Sequence, residues 1–167
     1  MVYQFYYQFP IGRLCIQEEK EKIIGIHIEN GADRQNKRDK EDLQIKEKET
    51  PLIIKAYCQL TEYFNGQRKS FDLPIHPSGT EFQKKVWRVL CTIPYGETCS
   101  YKDIAGKIGN FNACRAVGGA NHKNPIIIVI PCHRVIGANG SLTGYGGGLS
   151  VKEYLLKLER RLHNGNY

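Results

Sequence analysis

Apolar and polar positions alternate through residues 3–9 and 12–17, with "PIG" between them, and again through 22–28, "KIIGIHI". That two-residue period predicts three half-buried strands. Residues 30–50 then hold almost no apolar side chains, and six positive and six negative residues lie between Asp33 and Glu49. A solvated loop is expected there. From Pro51 the period changes: Leu52, Ala56, Leu60 and Phe64 recur in steps of four and Gly66 follows, which predicts a helix and its stop. "KSFDLPIHPSG" is punctuated by proline and reads as a final strand plus linker.

A second block opens at Thr80. "TEFQKKVWRVLCTI" predicts an amphipathic helix with Thr80 as N-cap and Phe82, Val86, Val89 and Leu90 on one face. Ser100 stands three residues before Asp103, the spacing of a capping box, so "SYKDIAGKI" reads as a short helix. "ACRAVGGANHKN" is another, and the two together suggest a helix-turn-helix. Ile126 to Ile130 are five consecutive β-branched residues and predict a buried strand stopped by Pro131. A glycine-rich loop, "GANGSLTGYGGGLS", and a terminal helix, "VKEYLLKLERRL", complete the chain. The pattern divides into two domains, residues 1–77 and 78–167.

The 167 residues are 41% hydrophobic and 25% charged, ordinary values for a globular protein, with no apolar run long enough to span a membrane. The N-terminus lacks the pattern of a secretory signal, so a cytoplasmic location is expected. Six cysteines at irregular spacings without a C-x-x-C pair read as free thiols in a reducing compartment. Cys15 with His27 is the nearest thing to a metal-binding remnant, and no metal site or cofactor is expected.

Charge is distributed unevenly. Residues 1–80 hold 12 basic and 12 acidic residues; residues 81–167 hold 12 basic and 5 acidic, so the whole excess of +7 lies in the second half. A polyanionic partner for that half is one explanation, and a solvated basic surface is the other. In the second short helix Ala113, Ala116 and Ala120 fall at i, i+3 and i+7, with Gly118 and Gly119 between them. Each helix-interior glycine costs about 1 kcal/mol relative to alanine. Either the helix packs tightly on a neighbour or it approaches something outside the protein, into which Arg115 could project.

Cys132 and His133 directly follow Pro131. A thiolate is the reactive form of cysteine, and a nearby imidazole promotes it. Adjacent residues of a regular strand point to opposite faces, so the pair can cooperate only if Pro131 turns the chain. Glu159 on the terminal helix is a candidate to orient the imidazole. A thiol hydrolase is compatible with such a set, and so is a buried cysteine beside an ordinary loop histidine.

"IPCHRVIG", preceded by "RAVGGANHKNP" and followed by "GYGGGLSVKEYLLKLE", resembles the O6-alkylguanine-DNA alkyltransferase family from about Phe82 to Glu159. "LTEYFNGQRKSFDLP" is more loosely similar to bacterial members. The resemblance implies an α/β, ribonuclease H-like N-terminal domain and a mainly α C-terminal domain with a helix-turn-helix. It implies repair by direct, irreversible transfer of an alkyl group from O6 of guanine, and from O4 of thymine, to Cys132. His133 would activate the thiol through a water, with Glu159 orienting it. Asn124 would brace the active-site turn and Tyr101 would help protonate the leaving guanine. Tyr145, Gly146, Gly147 and Lys152 would line the pocket for the flipped base. Arg115 would fill the gap left in the stack, while Ala113, Ala116, Gly118, Gly119 and Asn121 would meet the minor groove of double-stranded DNA. The implied protein is monomeric, with no membrane partner. Gly146 stands where some relatives have serine, and the zinc-binding set of some members is absent. A hydrolase would need neither the arginine-bearing helix nor the one-sided charge, and a non-catalytic lesion binder would not need Cys132.

Overall fold

Strand β1 (Val2–Phe9) turns through Pro10 and Ile11 into β2 (Gly12–Glu19), pairing antiparallel from Val2 opposite Glu19 to Phe9 opposite Gly12. These and all following features come from a computed structural model, which describes residues 1–29 and 44–163. β2 turns back into β3 (Lys22–Ile28) through Lys20 and Glu21, both at positive φ. That backbone is the mirror-image turn whose twist suits a two-residue hairpin. The order is β3-β2-β1-β4, where β4 (Ile45–Glu47) runs parallel to β1. The charged segment therefore differs from the expected uninterrupted loop. Its last few residues join the sheet edge, where backbone pairing needs no apolar side chain, and 30–43 lie outside the described residues.

Helix α1 (Pro51–Phe64) covers the sheet. Thr50 caps it by accepting from the Ile53 amide, and Pro51 occupies the first turn, where no amide partner is lost. Ile53, Ala56, Leu60, Tyr63 and Phe64 are buried with Leu14, Ile16, Ile23 and Ile26 of the sheet. The segment after α1 is extended but forms no strand; it touches the sheet through one bridge, Ile23 to Ile75, because prolines interrupt its donors. These elements make up a compact unit, Met1–Pro77.

The second unit, Ser78–Tyr167, is mainly helical. α2 (Glu81–Leu90) begins at the reciprocal Thr80–Gln83 capping box and buries Val86, Trp87 and Leu90. Phe82 lies on the exposed side and Trp87 takes the core position instead. The Trp87 indole donates to the Ala120 carbonyl at 2.8 Å, tying α2 to α4 (Cys114–His122). α3 (Tyr101–Lys107) starts at the Ser100–Asp103 capping box, and a 3-10 turn, Phe111–Ala113, leads from it into α4. β5 (Cys99–Ser100) and β6 (Val135–Ile136) form a small parallel pair, and α5 (Leu149–His163) closes the unit. No helix among the described residues is long and apolar enough to cross a membrane.

The expected strand at 126–130 is not one. Ile126, Ile127, Ile128 and Ile130 are buried, but their backbone folds into a compact loop with one bridge, Ile127 to Ile130. Ile128 adopts φ +72°, a left-handed conformation costly for a β-branched residue. The apolar run signals burial correctly; in place of a ladder, the Val129 amide donates to the Ile127 carbonyl at 2.9 Å and the Ile130 amide to the Ile126 carbonyl at 3.0 Å.

Candidate active site

The loop ends in a 3-10 turn, Cys132–Arg134, that carries the candidate nucleophile Cys132 and His133. Asn124 closes it from both sides: its Oδ1 accepts from the Ile126 amide at 2.9 Å and its Nδ2 donates to the Ile130 carbonyl at 2.7 Å. The Ile130 carbonyl also accepts from the Cys132 amide at 2.8 Å. One asparagine thus fixes the backbone that presents the thiol. With about three residues per 3-10 turn, Cys132, His133 and Arg134 leave the axis in different directions.

His133 is fully buried and its Nε2 lies 2.7 Å from Glu159 Oε1 on α5. An ionised carboxylate only accepts, so Nε2 carries the proton and Nδ1 holds the lone pair. Nδ1 has no hydrogen-bond partner in the protein. Glu159 also accepts from Arg134, from Nε at 2.9 Å and from Nη2 at 2.9 Å, and from the Gly96 amide at 3.3 Å. Arg134 donates its remaining Nη1 to the Ile93 carbonyl at 2.7 Å. This guanidinium is the residue that sequence reasoning missed, although it stands inside "PCHRV". An arginine within an apolar stretch signals a buried carboxylate partner, but the partner is 25 residues away.

The electrostatics follow from burial. Burial lowers the His133 pKa, against the pull of Glu159, so the imidazole stays neutral. Burial would raise Glu159, but His133 and Arg134 outweigh it and hold the carboxyl well below the usual range. The Cys132 thiol is pushed up to about 11 by burial, while the Asn124 side chain, Lys152 and the backbone amides of Cys132 and His133 favour the thiolate. At rest the sulfur is a thiol, surrounded by groups arranged to receive its anion.

The other pocket residues named above converge on the same place. Lys152 is fully buried and donates to the Val135 carbonyl and, at 2.9 Å, to the Thr143 carbonyl. The Tyr101 hydroxyl donates to that Thr143 carbonyl at 3.0 Å. Tyr145 is buried, its hydroxyl has no partner in the protein, and its pKa is raised well above the ordinary value by burial and by Cys132. Gly146 and Gly147 lie between Gly144 and Gly148, both at positive φ, in the loop leading to α5.

The small-residue helix divides differently from the expected stripe. Ala113 and Ala120 are buried with Val117, whereas Arg115, Ala116 and Gly119 are exposed. A Cβ on Gly119 would meet nothing within 4 Å, and one on Gly118 only the Tyr101 ring at 3.9 Å. Packing inside the protein therefore requires glycine at neither position. Asn121 is a correction: it does not face outward but is buried at 2% exposure, where its Nδ2 donates to the Cys132 carbonyl at 3.3 Å. Its polar head is drawn inward because the active-site turn offers an acceptor there.

All six cysteines are free, and no group of three or more metal-ligating side chains occurs among the described residues. Cys15 and His27 stand opposite each other in the register of β2 and β3, and the Cys15 thiol donates to Gln4 Oε1 at 3.7 Å.

Comparison with known proteins gives concordant matches. Residues 1–77 match the model of the 6-O-methylguanine DNA methyltransferase ribonuclease-like domain, and residues 81–161 match that of its DNA binding domain. A methylated-DNA–protein-cysteine methyltransferase of Methanosarcina acetivorans is 48% identical over 95% of this chain and 98% of its own. The constitutive enzyme of Bacillus subtilis is 48% identical over 90% and 91%. The crystal structure of Mycobacterium tuberculosis OGT in complex with DNA superposes with TM-score 0.85 at 41% identity, covering 96% of this chain and 94% of that one. With both halves matched and near-complete coverage of relatives at this identity, the chain belongs to the 6-O-methylguanine DNA methyltransferase family.

Proposed function

We propose that this protein repairs double-stranded DNA by taking the alkyl group from O6 of guanine onto Sγ of Cys132, once per molecule. The observation that carries the reading is a buried thiol on one short turn with a buried imidazole, whose Nδ1 has no partner in the protein and whose Nε2 is held by Glu159. A base within a duplex cannot reach a buried sulfur, so the nucleotide is flipped into the pocket. His133 Nδ1 takes the thiol proton through a bridging water. The thiolate attacks the alkyl carbon, the carbon–O6 bond breaks, and the guanine gains a proton, with the Tyr101 hydroxyl helping to supply it. The proton released by the thiol balances the one gained by the base. Lys152 and Asn124 stabilise the transient anion, while Tyr145 and the glycines beside it enclose the base. The product is a thioether, which water does not cleave, so the protein is spent.

The exposed face of α4, with Arg115, Ala116 and Gly119, suits the minor groove, which is about 6 Å wide. Arg115 enters the stack in place of the flipped base, and the basic excess of residues 81–167 supplies affinity independent of sequence. The protein acts as a monomer, in the cytoplasm. With excess lesion-bearing duplex, uptake should saturate at one alkyl group per molecule; continued turnover would contradict the reading and favour a hydrolase.

Two further outcomes are expected. Arg115→Ala slows transfer from duplex about 10-fold or more, on the scale of a few kcal/mol for unstacking a base, but slows reaction with free O6-benzylguanine much less. Paired rate constants with the two substrates check this. Second, the wild-type rate is flat from neutral pH up towards the thiol pKa of about 11. It falls only on the acid side of the ordinary imidazole range, because burial lowers the His133 pKa and delays protonation of the ring. His133→Asn loses about 10²–10⁴-fold at neutral pH. Its rate then climbs about tenfold per pH unit as the thiolate fraction grows.

A further inference from the structure

Phe111 is the most exposed large hydrophobic residue among the described ones, at 66% of its surface, yet its ring is not loose. It lies on Gly106 of α3: a Cβ there would come within 2.6 Å of a ring carbon. A glycine inside a short helix weakens it relative to alanine. Seating this ring is the one use that the structure offers for the glycine. The turn beneath is also fixed, since Asn110 Oδ1 accepts from the Asn112 amide at 3.1 Å and the Cys114 thiol donates to the Phe111 carbonyl at 3.4 Å. Arg115 follows four residues later, about one helical turn on, and is exposed as well. Lys102, Lys107 and Lys123 are exposed on α3 and just beyond α4.

An aromatic ring held out from a basic helix-turn-helix, one turn ahead of Arg115, fits an apolar partner on a polyanion. We infer that Phe111 packs against deoxyribose at the wall of the minor groove, beside the point where Arg115 enters the stack. Sugar faces are the apolar surface that every nucleotide presents there, so the contact is independent of sequence. Apolar side chains pressed into a minor groove hold DNA in a bent, partly unstacked form. Phe111 thus shares the work of keeping the duplex open while the lesion is out. The inference rests on the alkyl-transfer reading given above.

The test compares the rate constant for an O6-methylguanine duplex with that for free O6-benzylguanine, taken as a ratio, in wild type, Phe111→Ala, Phe111→Leu and Gly106→Ala. Phe111→Ala should lower the ratio at least fivefold and Phe111→Leu should restore most of it. Gly106→Ala should lower it too, by displacing the ring, while leaving the thermal midpoint equal or higher because alanine is the better helix former. A ratio within twofold of wild type in Phe111→Ala overturns the contact, and so does an equal fall with both substrates, which would make the ring merely structural. If wild type takes no alkyl group from the duplex, the alkyl-transfer reading itself fails and the contact fails with it.

Discussion

Cys132→Ala is expected to bind lesion-bearing duplex with an affinity close to that of wild type and to remove no alkyl group from it. The substitution deletes one buried sulfur and leaves α4, Arg115 and the basic surface intact. No other thiol substitutes. Cys15 and Cys58 belong to the first unit, and Cys91, Cys99 and Cys114 are carried by the end of α2, by β5 and by α4 rather than by the turn that Asn124 braces. The expected loss is complete, to the uncatalysed background, because a proton relay without a nucleophile has nothing to activate. Fluorescence anisotropy gives the binding and lesion analysis gives the transfer. Residual transfer would place the nucleophile elsewhere.

The second large effect is expected at Glu159, where one carboxylate serves two buried partners. Glu159→Ala leaves the Arg134 guanidinium, itself only 6% exposed, without its carboxylate, keeping the Ile93 carbonyl and the Tyr95 ring, and frees His133 to turn. Removing one member of a buried ion pair costs about 3–5 kcal/mol. Urea unfolding should show a loss of that size. Arg134→Met with Glu159→Gln should cost less than the sum of the two single changes, since no unpaired charge is left buried. The pH dependence has a definite sign. The Glu159 pKa is lowered by folding, so its stabilisation is present above the unfolded value of about 4.3 and is lost as pH falls. Glu159→Ala lacks that acid-sensitive component, and its stability should fall less steeply between about pH 4.3 and lower values. Alkyl transfer falls with it, because the tautomer of His133 is no longer set. An unfolding midpoint unchanged from wild type would show that the pair contributes little.

Local signals in the chain were informative wherever the structure is local. β1, β2 and β3 follow the alternation of residues 3–28, and α2 and α3 start at Thr80 and Ser100 as their capping spacings require. The ribonuclease-like sheet and the helical DNA-binding half agree with the fold implied by resemblance. What was not legible depends on distant partners. β4 is three residues in a charged segment, and only the edge of β1 makes it a strand. The run Ile126–Ile130 shows that it is buried but not that Asn124 supplies its backbone partners. Arg134, within an apolar stretch, signals a buried carboxylate but not which one, because Glu159 is 25 residues away on α5. The resemblance implied a groove contact for Asn121, yet its side chain is buried and donates to the Cys132 carbonyl.

The most direct measurement is the mass of the Cys132 peptide. Protein mixed with duplex DNA carrying one O6-methylguanine is digested and its peptides are weighed. One added methyl group on the peptide containing Cys132, matched by conversion of the lesion to guanine, is the predicted result. An unmodified Cys132 peptide with the lesion intact, or a methyl group on another cysteine, would contradict the account.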